Sequence, residues 1–113
     1  MKPIHWVGRS KKDLENLPVR GQHAIRAALF SAQTGRKVDY AKQMHGDLRE
    51  AMEIASNDRN GTFRDIYYVG KEFIYAIYFF QKKSKLGIKT PKTELDLIRS
   101  RLTWARRQER ETG

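Results

Sequence analysis

The stretch from Thr62 to Phe80, TFRDIYYVGKEFIYAIYFF, constrains this chain more than any other. Two runs dense in Tyr, Phe, Ile and Val, at 62–69 and 73–80, are separated by Gly70-Lys71-Glu72. β-Branched and aromatic residues fit a pleated surface, and so short a connection joins antiparallel strands. The second run is apolar on both faces, as a central strand is. It empties into Gln81-Lys82-Lys83-Ser84-Lys85, and Thr90-Pro91 then opens a helix, with Thr90 as cap and Pro91 in the first turn. Cations clustered beside aromatics suggest a surface for nucleic acid.

Upstream, Ile4-His5-Trp6-Val7 reads as a short strand ended by Gly8. Ser10 with Asp13 three positions on resembles a capping box, followed by a short helix through Leu14 and Leu17. Pro18 ends that helix or begins the next. Arg20 to Gln33 is the clearest helix, with Ala24, Ile25, Ala28, Leu29 and Ala32 on one stripe and Gly35 as its left-handed stop. The two helices form an antiparallel hairpin. Arg36 to Gly46 is a basic, irregular connection containing Lys37, Lys42 and His45. Leu48 to Ala55 is expected to be a strand, because the loop Asn57-Asp58-Arg59-Asn60-Gly61 ends in Asn-Gly and a strong β pattern follows. The final helix buries Leu95, Ile98, Leu102 and Ala105 and runs to about Arg107. Residues 106–113 read as a polar, frayed tail.

The fold class that follows is α+β, a single domain over residues 1–113 in the order β-α-α-β-β-β-α. An antiparallel sheet carries an N-terminal helix hairpin and a C-terminal helix. The expectation is that helices pack on one face and that the other is partly open, lined by Arg, Lys and Tyr.

Charge bounds the function. The chain holds 23 Lys+Arg against 13 Asp+Glu, a formal charge of +10, which favours a polyanionic partner. It has no cysteine, so neither disulfides nor thiolate metal sites arise. His5, His23 and His45 lack metal-ligand spacing, and no phosphate loop or Ser/His/Asp set is present. No metal and no cofactor are expected. The N-terminal apolar stretch is too short for a signal peptide and no run reaches a membrane span, which points to the cytoplasm. Arg64 has two readings, a phosphate-binding cation or a strand arginine paired with Glu50 or Asp65. A cationic cluster can also stabilise charge developing on phosphate, and RNA carries its own nucleophile in the 2′-hydroxyl.

Thr62-Phe63-Arg64-x-Ile66-Tyr67, the strand ending Phe80-Gln81-Lys82-Lys83-Ser84, and Thr90-Pro91-Lys92 together resemble the phage-derived branch of the RelE/HigB toxin superfamily. The resemblance extends from Ile4 to about Ala105. It implies the toxin of a type II toxin–antitoxin system, a ribosome-dependent, metal-independent mRNA endoribonuclease that inhibits translation. Its partners would be mRNA, the ribosome and a cognate helix-turn-helix antitoxin. By position, Arg64 matches the arginine that contacts the scissile phosphate. Lys82 and Lys83 match the basic pair that holds RNA phosphates, one of them assisting proton transfer. Lys85, Lys89 and Tyr78 join them as RNA-binding positions. The sequence departs from the pattern in two places. Tyr78 stands where the family has histidine, so it is either an acid–base substitute or plain core. Asp65 stands beside the arginine where a small or apolar residue is usual. The alternative function is a non-catalytic RNA- or ribosome-binding toxin, or a target binder in the manner of the ParE gyrase poisons.

Overall fold

The computed structural model describes residues 1–36, 40–83 and 91–112. Strand β1 (Ile4–Trp6) leads into helices α1 (Ser10–Glu15) and α2 (Val19–Gln33). Then come β2 (Lys42–Gln43), a 3-10 turn at Gly46–Leu48, β3 (Ala51–Asp58), β4 (Gly61–Val69), β5 (Ile74–Lys83) and α3 (Lys92–Thr112). The expected order holds, with β2 added as a two-residue edge strand inside the connection read as irregular.

The five strands lie in the order β1-β5-β4-β3-β2. Pairing is antiparallel except at one edge, where β1 runs parallel to β5 through Ile4↔Ile74 and Trp6↔Ala76. The sheet is therefore mixed. The α1–α2 hairpin carries the chain from β1 across the sheet to β2 at the opposite edge, and the strands β2 to β5 then return antiparallel until β5 lies beside β1. The β3–β4 connection is tighter than the sequence suggests. Asn57 and Asp58 pair with Thr62 and Gly61, leaving only Arg59-Asn60 as the turn. Gly61 has φ +130°, and a Cβ there would stand 2.1 Å from the Lys82 carbonyl oxygen, so this hairpin end tolerates no side chain. Leu48 sits in the 3-10 turn rather than in the strand, because β3 begins only at Ala51.

Helices cover both faces of the sheet, not one. On one face, Leu14 of α1 and Ile25, Ala28, Leu29 and Ala32 of α2 pack on Ile54, Phe63, Tyr67, Ala76 and Phe79. Gly21 lets α2 approach β4 closely, since a Cβ there would meet the Phe63 ring at 2.5 Å. On the other face, Ile98, Leu102 and Ala105 of α3 pack on Ala51, Ile66, Tyr75 and Ile77. The reason is arithmetic. β4 and β5 are apolar on both sides, and the α1–α2 hairpin can bury only one.

Two terminal features differ from expectation. Ser10 does not cap α1; its hydroxyl is buried without a partner, and Asp13 turns instead to Arg101. α3 continues through the tail read as frayed, to Thr112. Glu109 anchors that last stretch by accepting from the Tyr75 hydroxyl at 3.0 Å and from the Lys71 amide. Pro18 and Pro91 each precede the first helical residue, and their carbonyls accept from Gln22 and Leu95. The capping role expected of Thr90 lies outside the described residues.

Candidate nucleic-acid interface

The face of the sheet under α3 carries the candidate site. Side chains two apart on a strand share a face, and residues directly paired across strands do too. Thr62 and Arg64 of β4 therefore stand with Lys82 and Phe80 of β5, to which they are paired in register. Ala55 and Glu53 of β3 join them, and Lys42 of β2 pairs with Glu53. Arg64 is half-buried on this face. Its Nε donates to Thr62 Oγ1 at 2.9 Å, and Nη1 lies 3.3 Å from Glu53 Oε1. Neither contact uses Nη2. The partner is Glu53 rather than Glu50 or Asp65. Glu50 is taken by Arg106 at 2.9 Å.

Asp65 faces the other way. As the next residue on the strand it points to the α1–α2 side, paired in register with Ile54 and Phe79. It is 1 % exposed, and neither carboxylate oxygen has a hydrogen-bond partner. Burial pushes its pKa well above the usual carboxylate range. The charge beside Arg64 in sequence is thus no part of the Arg64 surface.

The basic pair divides in the same way. Lys82 lies opposite Thr62 on the Arg64 face, whereas Lys83 lies opposite Gly61 on the reverse face. Both belong to β5, which runs through Lys83. Lys85 and Lys89, and with them Lys37 of the basic connection, lie outside the described residues.

Tyr78 owes its position to a β-bulge. Ile66 pairs with Tyr78 and Tyr67 with Ala76, so Ile77 is the extra residue. Ile77 and Tyr78 consequently both pack on the α3 side. Arg101 of α3 secures the bulge. Its Nη1 donates to the Ile77 carbonyl at 2.9 Å and to Asp13 Oδ2 at 2.7 Å, and its guanidinium stands 5.5 Å from the centre of the Tyr78 ring. The Tyr78 and Phe80 rings stack at 5.2 Å and 17°. Burial, followed by the hydrogen bond to Glu94, pushes the Tyr78 phenol well above its ordinary value. Tyr78 is therefore neither plain core nor fully exposed; it is a half-buried ring held against Phe80, one step along the strand from Arg64.

Thr62, Glu53, Glu94 and Arg101 are the participants that sequence reasoning missed. Strand periodicity around Arg64 could have named Thr62. Nothing local signals Glu94 or Arg101, which arrive from α3. His5 sits among Phe73, Tyr75 and Trp104, while His23 and His45 are exposed. Among the described residues, no group of three or more His, Asp or Glu side chains is placed to hold a metal ion. No helix of the described residues is long and apolar enough to cross a membrane. A separate groove of about 620 Å³, lined by Glu50, Tyr68, Lys71, Thr103, Arg106, Glu109 and Arg110, lies toward the 70–72 turn and does not include Arg64.

The family model described as Phage derived protein Gp49-like (DUF891) matches residues 12–103. No curated protein matches the chain in sequence. Among solved structures, a chain of the toxin–antitoxin complex RelBE2 from Mycobacterium tuberculosis has the same fold, with a TM-score of 0.55 and 17 % identity. The match covers 72 % of this chain and 98 % of that one.

Proposed function

This chain belongs to the Gp49-like family of phage-derived proteins, and from that premise we propose that it is the toxin of a type II toxin–antitoxin system. In this reading it is a ribosome-dependent, metal-independent mRNA endoribonuclease of the cytoplasm, neutralised by a cognate antitoxin. The observation that carries the reading is Arg64. A half-buried arginine whose Nη2 is uncommitted among the described residues stands beside the Phe80–Tyr78 stack and shares its face with Lys82. Such a surface can stack a base, grip its phosphate and stabilise the charge that develops as the 2′-oxygen attacks. The likeness of the Thr62–Tyr67 and Phe80–Ser84 motifs to the RelE/HigB toxins, and of the fold to a chain of a toxin–antitoxin complex, supports the same reading.

Induced expression tests it. Wild type should arrest growth and produce cuts in translated transcripts, mapped by primer extension. Arg64→Ala should lose both, with a rate loss of about a hundred- to a thousandfold in a ribosome-programmed assay. Unchanged arrest and cleavage by Arg64→Ala would remove Arg64 from the site. The Arg64–Glu53 ion pair favours a second reading, in which the face binds RNA or another target without cutting it. Arrest by wild type with intact transcripts would select that reading.

A further inference from the structure

The strand that carries half of the candidate site changes face in its middle. Along β5, Ile74 and Ala76 pack toward α1 and α2, while Tyr75 and Ile77 pack toward α3, as alternation requires. Tyr78 breaks the alternation by packing on the same side as Ile77; Phe79 then returns to the α1–α2 side and Phe80 to the α3 side. The register agrees, with Ile77 as the extra residue between the Tyr67–Ala76 and Ile66–Tyr78 pairs. Continued without that residue, the ladder would set Arg64 opposite Phe79 and Thr62 opposite Gln81, and would turn Phe80 and Lys82 to the reverse face. With it, Arg64 meets Phe80 and Thr62 meets Lys82. Packing places the bulge, because Ile77 and Phe79 are both buried on opposite sides of the sheet. Packing does not satisfy its backbone, since a bulged residue drops out of the ladder. Arg101 does: its Nη1 donates to the Ile77 carbonyl at 2.9 Å and to Asp13 Oδ2 at 2.7 Å, and its guanidinium stands over the Tyr78 ring. The Arg101 side chain is 12 % exposed, and a Cβ at Gly8 would stand 3.2 Å from its Nε, so the β1–α1 turn closes on it as well.

We propose that this bulge assembles the RNA surface and that Arg101 is its positioning residue, an inference that rests on the reading of the Arg64 face as that surface. Arg101 itself touches no RNA. It acts through the strand that follows the bulge, where one step of slip exchanges the two faces. The Tyr78–Phe80 ring stack, at 5.2 Å and 17°, couples the held segment directly to the residue opposite Arg64. Lys82 lies two positions further on the same face. The arrangement explains why the adjacent lysines differ: the bulge gives Lys82 to the Arg64 face and Lys83 to the reverse. It also gives Arg101 two separable tasks, an ion pair that joins α3 to α1 and a backbone tie that holds β5. Only the second bears on RNA.

The test compares two full-length variants that break the same ion pair. Arg101→Met removes both the Asp13 contact and the carbonyl tie. Asp13→Asn removes the ion pair and leaves the guanidinium to hold the Ile77 carbonyl. Thermal melts set the assay temperature below both transitions. Arg101→Lys, which retains the charge but not the planar fork, serves the same comparison should Arg101→Met melt too low. Binding to single-stranded RNA is followed by fluorescence anisotropy over a salt series, in each background with and without Lys82→Ala. In wild type and in Asp13→Asn, Lys82→Ala should flatten the slope by about 0.7; in Arg101→Met, where the lysine is no longer held on the Arg64 face, it should flatten it by less than about half as much. Single-turnover cleavage of ribosome-programmed mRNA should fall about a hundredfold in Arg101→Met, the scale of a small misplacement, and stay within about threefold of wild type in Asp13→Asn. Full flattening by Lys82→Ala in Arg101→Met, or equal losses in Arg101→Met and Asp13→Asn, reduces Arg101 to a clamp between helices and overturns the inference. Arg64→Ala that binds RNA as wild type does, or a wild type that neither binds nor cuts RNA, overturns instead the reading of the face on which it rests.

Discussion

Arg64 and Asp65 are neighbours in sequence and strangers in the fold. Alternation along β4 sends the guanidinium toward α3 and the carboxylate into the core beneath α1 and α2. Asp65 has no partner there, so the folded state retains its proton to a pH well above the value at which the unfolded chain releases it. The sign follows. Between the unfolded pKa, about 4, and the raised folded pKa, the folded protein binds one more proton than the unfolded chain, so stability falls as pH rises. Asp65→Asn removes that dependence. Relative to wild type, its stability should gain about 1.4 kcal/mol per pH unit across this window, and the two proteins should converge near pH 4. Thermal melts from pH 4 to 8 measure the difference; a gap that stays constant with pH would contradict the buried, protonated carboxyl. The residue beside the arginine was legible in the sequence as a departure from pattern. Its direction was not, because the adjacent letters Arg-Asp read as a surface pair until the strand's two faces are told apart.

At the scale of elements, strands and helix stripes were legible because each is a local periodicity. Ile98, Leu102 and Ala105 face the core as their spacing requires, as do Ile25, Ala28, Leu29 and Ala32. What was not legible depends on partners far along the chain. The bulge at Ile77 leaves no local mark in an apolar run, and the end of α3 was misjudged because polar residues at a terminus resemble a tail. Glu109 reaches back 34 positions to Tyr75, whose phenol is pushed up to about 12 by burial and by this carboxylate. Truncation after Arg107 should therefore destabilise the fold by about 2 kcal/mol, the scale of hydrogen bonds to a charged group. Glu109→Ala should reproduce most of that loss in denaturant melts. A truncated chain as stable as the whole would return these residues to the status of a frayed end.

At the scale of the molecule, the +10 charge is unevenly committed. Arg20, Arg64, Arg99, Arg101 and Arg106 are engaged with Asp58, Glu53, Asp47, Asp13 and Glu50. Their planar forks suit such pairing. Lys82 and Lys83 form no ion pair among the described residues, so the charge left for a polyanion includes these lysines. They are not equivalent, since β5 turns Lys82 to the Arg64 face and Lys83 to the reverse. Binding to single-stranded RNA should weaken linearly in log affinity against log salt, by about 0.7 in slope for each phosphate neutralised. If RNA tracks the Arg64 face, Lys82→Ala flattens that slope by about 0.7, while Lys83→Ala leaves it as in wild type. Equal flattening by both would mean that the strand wraps the end of the hairpin, where the two faces meet. Flattening by Lys83→Ala alone would move the interface to the α1–α2 side and separate it from Arg64. Fluorescence anisotropy over a salt series distinguishes the three, and it does so without requiring that the bound RNA be cut.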